Sequence, residues 1–178
     1  MFTHLLQIAS FKSKPQNFES PVWAILVLSS LFIGVQGYAL SLSPGNELIR
    51  MFVASSIKLM VIAGILFLWI RSVDASPYYK STLMVIVFVS LLTEVVKLPL
   101  STMIRETKQD ADVVMAVAYS LPLGAMVVWQ YWVWYYAIKE ASERSKAEII
   151  TIMITLVLIS EVAGSVFSQV GAPVEGFS

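Results

Sequence analysis

Four ionisable residues stand inside long apolar runs, where charge is least expected: Lys58, Glu94, Lys97 and Glu161. Carrying a charged side chain to the middle of a bilayer costs about 2.5 to 3.5 kcal/mol on insertion scales, so such residues turn into a helix bundle and find partners. Two are acids and two are bases, so the set can neutralise itself. Glu94 and Lys97 are three apart, which on a helix places them on one face within pairing distance. Lys58 and Glu161 then remain to pair across helices. Two chemistries fit this pattern. One is a satisfied ion-pair network that fixes helix register. The other is a site for a proton, an ion or a small solute, in which a carboxylate titrates beside an ammonium. A third reading places a span boundary elsewhere and lets one or more of these groups snorkel to water.

The elements that must carry these residues follow from composition. Of 178 residues, 57% are hydrophobic and 13% charged, too apolar a mixture for a soluble core with a polar coat. Five runs are each long enough to cross a hydrocarbon core about 30 Å thick: residues 21–42, 51–70, 81–104, 113–138 and 147–170. The stretches between them are short and rich in charge or turn formers, notably Ser43-Pro44-Gly45-Asn46. The expected fold is all-α: a polytopic transmembrane helical bundle of five spans, forming a single membrane domain over residues 1–178 with a short interfacial segment at 1–20. Counted from the outer end of each span, Lys58, Glu94, Lys97 and Glu161 lie about seven to ten residues deep, a spread of roughly one helical turn. Gln36 in the first span and Tyr119 in the fourth reach nearly the same level. All five helices thus offer a polar group to one layer.

Orientation follows from Lys and Arg, which are retained near span ends on the cytoplasmic side. With the N-terminus inside, Lys12, Lys14, Arg71, Lys80, Lys139, Arg144 and Lys146 are cytoplasmic, against Arg50, Arg105 and Lys108 outside. Trp23, Trp69, Trp129, Trp132 and Trp134 all fall at span ends that this arrangement puts inside. An odd number of spans makes both patterns coherent and puts the C-terminus outside. The run Trp129-Gln130-Tyr131-Trp132-Val133-Trp134-Tyr135-Tyr136, followed closely by Lys139, reads as an interfacial anchor of Trp129, Trp132 and Trp134. Near the N-terminus, Leu5, Leu6, Ile8, Ala9 and Phe11 give a short apolar face ending at Lys12. That segment is expected either to lie on the cytoplasmic leaflet or to be frayed.

Two prolines, Pro99 and Pro122, sit beside the polar layer and deprive Val95 and Ala118 of a helical hydrogen-bond donor, which predicts kinks there. Small residues every fourth position, Ala116, Ser120 and Gly124 in the fourth span and Ser160, Gly164 and Ser168 in the fifth, predict close helix contacts. The second stripe shares a face with Glu161, which points that carboxylate into protein.

Enzyme chemistry finds no footing. The chain has no cysteine and one histidine, His4, which removes thiolate nucleophiles, iron–sulfur clusters, a conventional zinc site and a bis-histidine haem; the expected complement of cofactors and metals is none. There is no Gly-x-Ser-x-Gly, no His-Glu-x-x-His and no Walker phosphate loop. Asp74, Asp110 and Asp112 all fall between spans, so paired intramembrane aspartates are absent as well. Twelve basic and twelve acidic residues balance, so no electrostatic case for nucleic acid exists. The expected partners are the lipid bilayer and other membrane proteins.

Two segments carry a resemblance: FLWIRSVDASPYYKSTLMVIVFVSLLTEVVKLPL, residues 67–100, and VWQYWVWYYAIKEASERSKAEIITIMITLVLISEVAG, residues 128–164. In both, an aromatic-rich span end leads through a short basic connection into the next span. This layout resembles the short bacterial members of the Ypt-interacting-protein (Yip) domain family. The resemblance implies a five-span membrane protein with a cytoplasmic N-terminus, in a bacterial inner membrane. The Asp-Leu-Tyr-Gly-Pro type motif and long cytosolic N-terminal region of eukaryotic members are not in this chain, so no Rab-binding residue carries over.

The functional expectation is therefore a non-enzymatic scaffold or an assembly or trafficking partner, whose charge cluster should be dry. Its alternative is a small transporter or ion-conducting subunit titrating Glu94 or Glu161.

Overall fold

The computed structural model describes residues 2–14, 20–42, 47–109 and 113–169. The Ser43-Pro44-Gly45-Asn46 turn, Asp110 and Asp112 lie outside the described residues, as do the side chains of His4, Arg105, Lys108 and Ala116. The described residues form six α-helices: α1 (Phe2–Ala9), α2 (Val22–Ser41), α3 (Leu48–Ser72), α4 (Tyr79–Gln109), α5 (Val113–Ser142) and α6 (Lys146–Gln169). A 3-10 turn at Ser76–Tyr78 leads into α4. Among the described residues there is no strand. Among the described residues, four stretches are long and apolar enough to cross a membrane: Val22–Ser41, Leu48–Ser72, Ser76–Leu100 and Lys146–Ser168.

The helices run past the ends that hydropathy suggests. Helix α4 continues through Arg105, Glu106 and Lys108 to Gln109, and α5 continues through Lys139 and Glu140. Charged residues are good helix formers once an apolar run has nucleated the helix, so charge ends a span without ending the helix. Pro99 and Pro122 lie within α4 and α5, and both helices continue through them. Helix α5 stops at Glu143, which adopts φ 53°, and Ser145 starts α6. The backbone N–H of Ser145 donates to Glu148 Oε2 at 3.0 Å, and the N–H of Glu148 returns to Ser145 Oγ at 3.4 Å. This reciprocal cap is written in Ser145-Lys146-Ala147-Glu148.

Packing is extensive between α3 and α6, between α4 and α5, and between α2 and each of α3 and α4, but light between α5 and α6. The bundle is thus an open ring in the order α6, α3, α2, α4, α5. Helix α3 presents Met51, Ala54, Ser55, Leu59, Ile62, Leu66 and Ile70 inward, a stripe at helical spacing. Its opposite face leaves Met60 and Leu68 exposed for lipid. The first half of α4, from Ser81 to Ser90, is buried all round, because α1, α2 and α5 surround it. Three hydroxyls of α4 bond to nearby backbone carbonyls: Ser81 donates to that of Tyr78 at 2.9 Å, Ser90 to that of Ile86 at 2.7 Å and Thr93 to that of Val89 at 3.0 Å, whereas Thr82 Oγ1 is buried without a partner among the described residues. Lipid is as apolar as leucine, so it is close van der Waals contact that favours these helix pairs.

The apolar face of α1 is turned onto the bundle. Leu5, Ile8 and Ala9 are buried against Met84, Val85 and Phe88 of α4 and Val133 and Ala137 of α5. The segment that follows is tied to α5 as well. Lys14 pairs with Glu140 at 2.8 Å, and Phe11 meets Tyr136 edge-on with ring centroids 5.2 Å apart. Its hydrogen bond to Glu140, reinforced by that carboxylate's charge, holds the Lys14 ammonium above the ordinary lysine range.

Candidate functional site: a paired charge cluster among five helices

The four ionisable residues form two pairs, each with its own local cause. Glu94 and Lys97 are one turn apart on α4, and their side chains meet at 3.0 Å. Lys58 of α3 reaches across to Glu161 of α6 at 2.5 Å. That contact needs α3 and α6 antiparallel and close. Gly164, one turn beyond Glu161, permits this: a Cβ there would stand 3.8 Å from the Cβ and Cδ of Lys58, so the lysine stem lies along the bare backbone. At the same end Arg50 donates to the Ser168 carbonyl at 3.4 Å.

Both pairs line one cavity of about 50 Å³, together with Gln36, Ser90, Gln130, Tyr131, Trp134 and Ser160. Helices α2 to α6 all contribute. Gln130 donates to Ser90 Oγ at 3.3 Å within it. A second cavity of about 240 Å³ adjoins the first at Gln36, Lys58 and Glu161, and runs along Ser55, Ser165 and Ser168 toward the end of the bundle. The side chains are unequally sheltered, Lys58 at 19% exposure and Glu161 at 59%, Glu94 at 15% and Lys97 at 28%. The expected dryness is therefore not what the lining provides. Gln36 Oε1, Ser55 Oγ and Trp134 Nε1 are buried without a protein hydrogen-bond partner. Such atoms in a cavity this roomy suit water. Among the described residues no cluster of three His, Asp or Glu side chains is arranged to hold a metal ion.

Three expectations are corrected. Tyr119 does not line either cavity; Gln130 and Tyr131 are the residues of α5 at the level of the charges. Depth counting failed because the α4–α5 hairpin extends beyond the other helices. Helix α4 runs on to Gln109, so a residue level with Lys58 lies farther from the hairpin tip than the apolar run suggests. Trp134 is likewise no interfacial anchor. It is 4% exposed and packs in the core, whereas Trp132 is 62% exposed. Two residues along a helix is about 200° of rotation, so an unbroken aromatic run must put some rings inside. Trp129 is partly buried against the cluster that holds α1. The predicted small-residue seam of α5 also faces outward: Ser120 and Gly124 are exposed, and a Cβ on Gly124 would meet nothing within 4 Å. The tight approach is at Gly37 of α2, against Phe52 of α3.

Replacing Ser90 by Ala should lower stability by no more than about 1 kcal/mol, because Gln130 loses one modest hydrogen bond where water can replace it. Thermal unfolding in mild detergent measures this. A larger loss would mean that the Gln130–Ser90 contact does more than line the cavity.

The family model described as Yip1 domain matches residues 7–167. No curated protein and no solved structure matches the chain.

Proposed function

We propose, from the premise that this chain belongs to the Yip1 domain family, that it is a non-enzymatic membrane scaffold or assembly partner whose intramembrane charges hold its helices in register. The observation that carries this reading is the pairing itself: two acids and two bases close on one another at 2.5 and 3.0 Å. No charge in the cluster is left over to bind a cargo ion. Removing Lys58–Glu161 would take away a directional contact between α3 and α6, in a solvent where apolar contacts have none.

Five crossings, with the N-terminus on the cytoplasmic side of a bacterial inner membrane, fit this reading. The Lys14–Glu140 pair keeps the N-terminal segment at the same end of the bundle as the α5–α6 connection. The Arg50–Ser168 contact puts the end of α6 beside the start of α3, supporting a C-terminus at the opposite end. Lys12 and Lys14 of the N-terminal segment, Arg71 and Lys80 flanking the connection at 73–78, and Lys139, Arg144 and Lys146 in and beside that at 143–145 accord with a cytoplasmic face there. The natural absence of cysteine makes a direct test simple. A single Ser76→Cys should react with an impermeant maleimide only from the cytoplasmic side, and Glu47→Cys, 74% exposed at the other end, only from outside. Labelling of both from one side would remove the topology.

A second reading, a small proton or ion pathway through Glu161, is favoured by one specific observation. The two cavities meet at Lys58 and Glu161 and carry unpartnered buried polar atoms. Proteoliposomes containing a pH-sensitive dye separate the readings. On the scaffold reading, wild type and Glu161→Gln leak protons at the same rate under an imposed potential. A flux lost in Glu161→Gln would replace the scaffold reading by the second.

A further inference from the structure

Helices α5 and α6 are joined by only three residues, 143–145, yet they touch lightly. Between them lies an open groove of about 700 Å³ with walls of Val128, Trp132, Tyr135, Ile150, Met153 and Ile154. It continues inward past Val157 and Leu158. From Lys146 to Leu158 the α6 wall is about 18 Å long. Trp132, Val128, Ile150 and Ile154 are all exposed, so the groove opens sideways.

One end of this apolar slot is basic. Lys139 closes it from α5 and Lys146 from α6. Both lysines are exposed, and among the described residues neither is in an ion pair. The carboxylates nearby are otherwise engaged: Glu140 pairs with Lys14, and Glu148 with Ser145 and, at 3.9 Å, Arg144. Glu143 lies in the connecting turn and does not line the groove.

We infer that the α5–α6 groove is a binding site for one anionic diacyl phospholipid. An acyl chain lies along Met153, Ile154 and Leu158, and the phosphodiester sits between Lys139 and Lys146. Lysines near a membrane surface attract anionic headgroups, and amphipathic rings such as Tyr135 and Trp132 favour the headgroup level. A zwitterionic lipid brings its own ammonium to the same place and loses that advantage. An apolar helix of another protein would fill the slot but leave both lysines unanswered. The site requires only that the bundle be in a membrane and is independent of the assembly role proposed above.

The test is native mass spectrometry of the full chain released from nanodiscs of equal phosphatidylglycerol and phosphatidylcholine. Wild type should retain one phosphatidylglycerol with roughly tenfold or greater preference, the scale set by two lysines near a headgroup. Lys139→Gln with Lys146→Gln should reduce the preference to near the bulk ratio. Ile154→Trp, which fills the groove, should lower retention of either lipid. Lys80→Gln, on the other connection, should change nothing. No preference in wild type, or a preference that survives the double lysine variant, overturns the inference. So does a lipid-free dimer that Ile154→Trp dissociates, since a second copy would then be the occupant.

Discussion

The Glu161→Ala protein should be the least stable of the single variants in the charge cluster, losing about 3 kcal/mol, the low end of the range for breaking a buried pair. What decides this is which partner is stranded. Lys58 is the sheltered member at 19% exposure, and without Glu161 the carboxylate left in its cavity is Glu94, which Lys97 already engages at 3.0 Å. Lys58→Met strands Glu161 instead. That side chain is 59% exposed, so losing its partner does not leave it enclosed in the protein. Its loss should therefore be smaller. Combining Lys58→Met with Glu161→Ala removes both charges and should recover part of what Glu161→Ala loses, because the uncompensated group is gone. The Glu94–Lys97 pair lies within one helix, so breaking it does not separate two elements. Size-exclusion profiles after heating in mild detergent would rank the variants. Equal losses in both singles, with a double that simply adds them, would show that the pair is not a unit.

Gly37→Leu should cost about 1 to 3 kcal/mol, the usual scale for forcing extra atoms into a packed contact. A Cβ at this position would stand 3.0 Å from Cγ and Cδ1 of Phe52 and 3.1 Å from its Cα. A ring can turn away, but a backbone Cα yields only if α2 and α3 move apart. Gly37→Ala should be milder, because alanine recovers up to about 1 kcal/mol of helix propensity. Gly34 and Gly64 have nothing within 4 Å of such a Cβ, so alanine there should be neutral or stabilising. The same heating assay measures all four. A Gly37→Leu protein as stable as wild type would mean that α2 and α3 are less closely apposed than this. Gln36 is the neighbour of Gly37 and lines both cavities, so the Leu variant should also disturb the cluster.

Much of this molecule is legible from residue types in order. The long apolar runs dictate membrane helices because no soluble core can absorb them. The i, i+3 spacing of Glu94 and Lys97 yields their contact from helix geometry alone, and Ser145-Lys146-Ala147-Glu148 spells out its own cap. Equal numbers of acids and bases inside the apolar runs point to pairing, and elimination leaves Lys58 for Glu161. The family resemblance was likewise carried by two segments whose order along the chain is their signal.

Other features depend on how the helices stand against one another, which no local pattern states. The level of α5 relative to Lys58 is set by the α4–α5 hairpin reaching beyond its neighbours, and this substitutes Gln130 and Tyr131 for Tyr119. In the run from Trp129 to Tyr136 every residue has suitable chemistry for an interface, so only packing decides that Trp132 faces out and Trp134 in. Gly124 and Gly37 are the same residue type in similar helices, but one faces open space and the other Phe52. The apolar face of α1 is equally suited to lipid or protein, and α4 and α5 provide the surface that takes it. In each case the sequence leaves two environments nearly equal in free energy, and the rotation and offset of neighbouring helices select one.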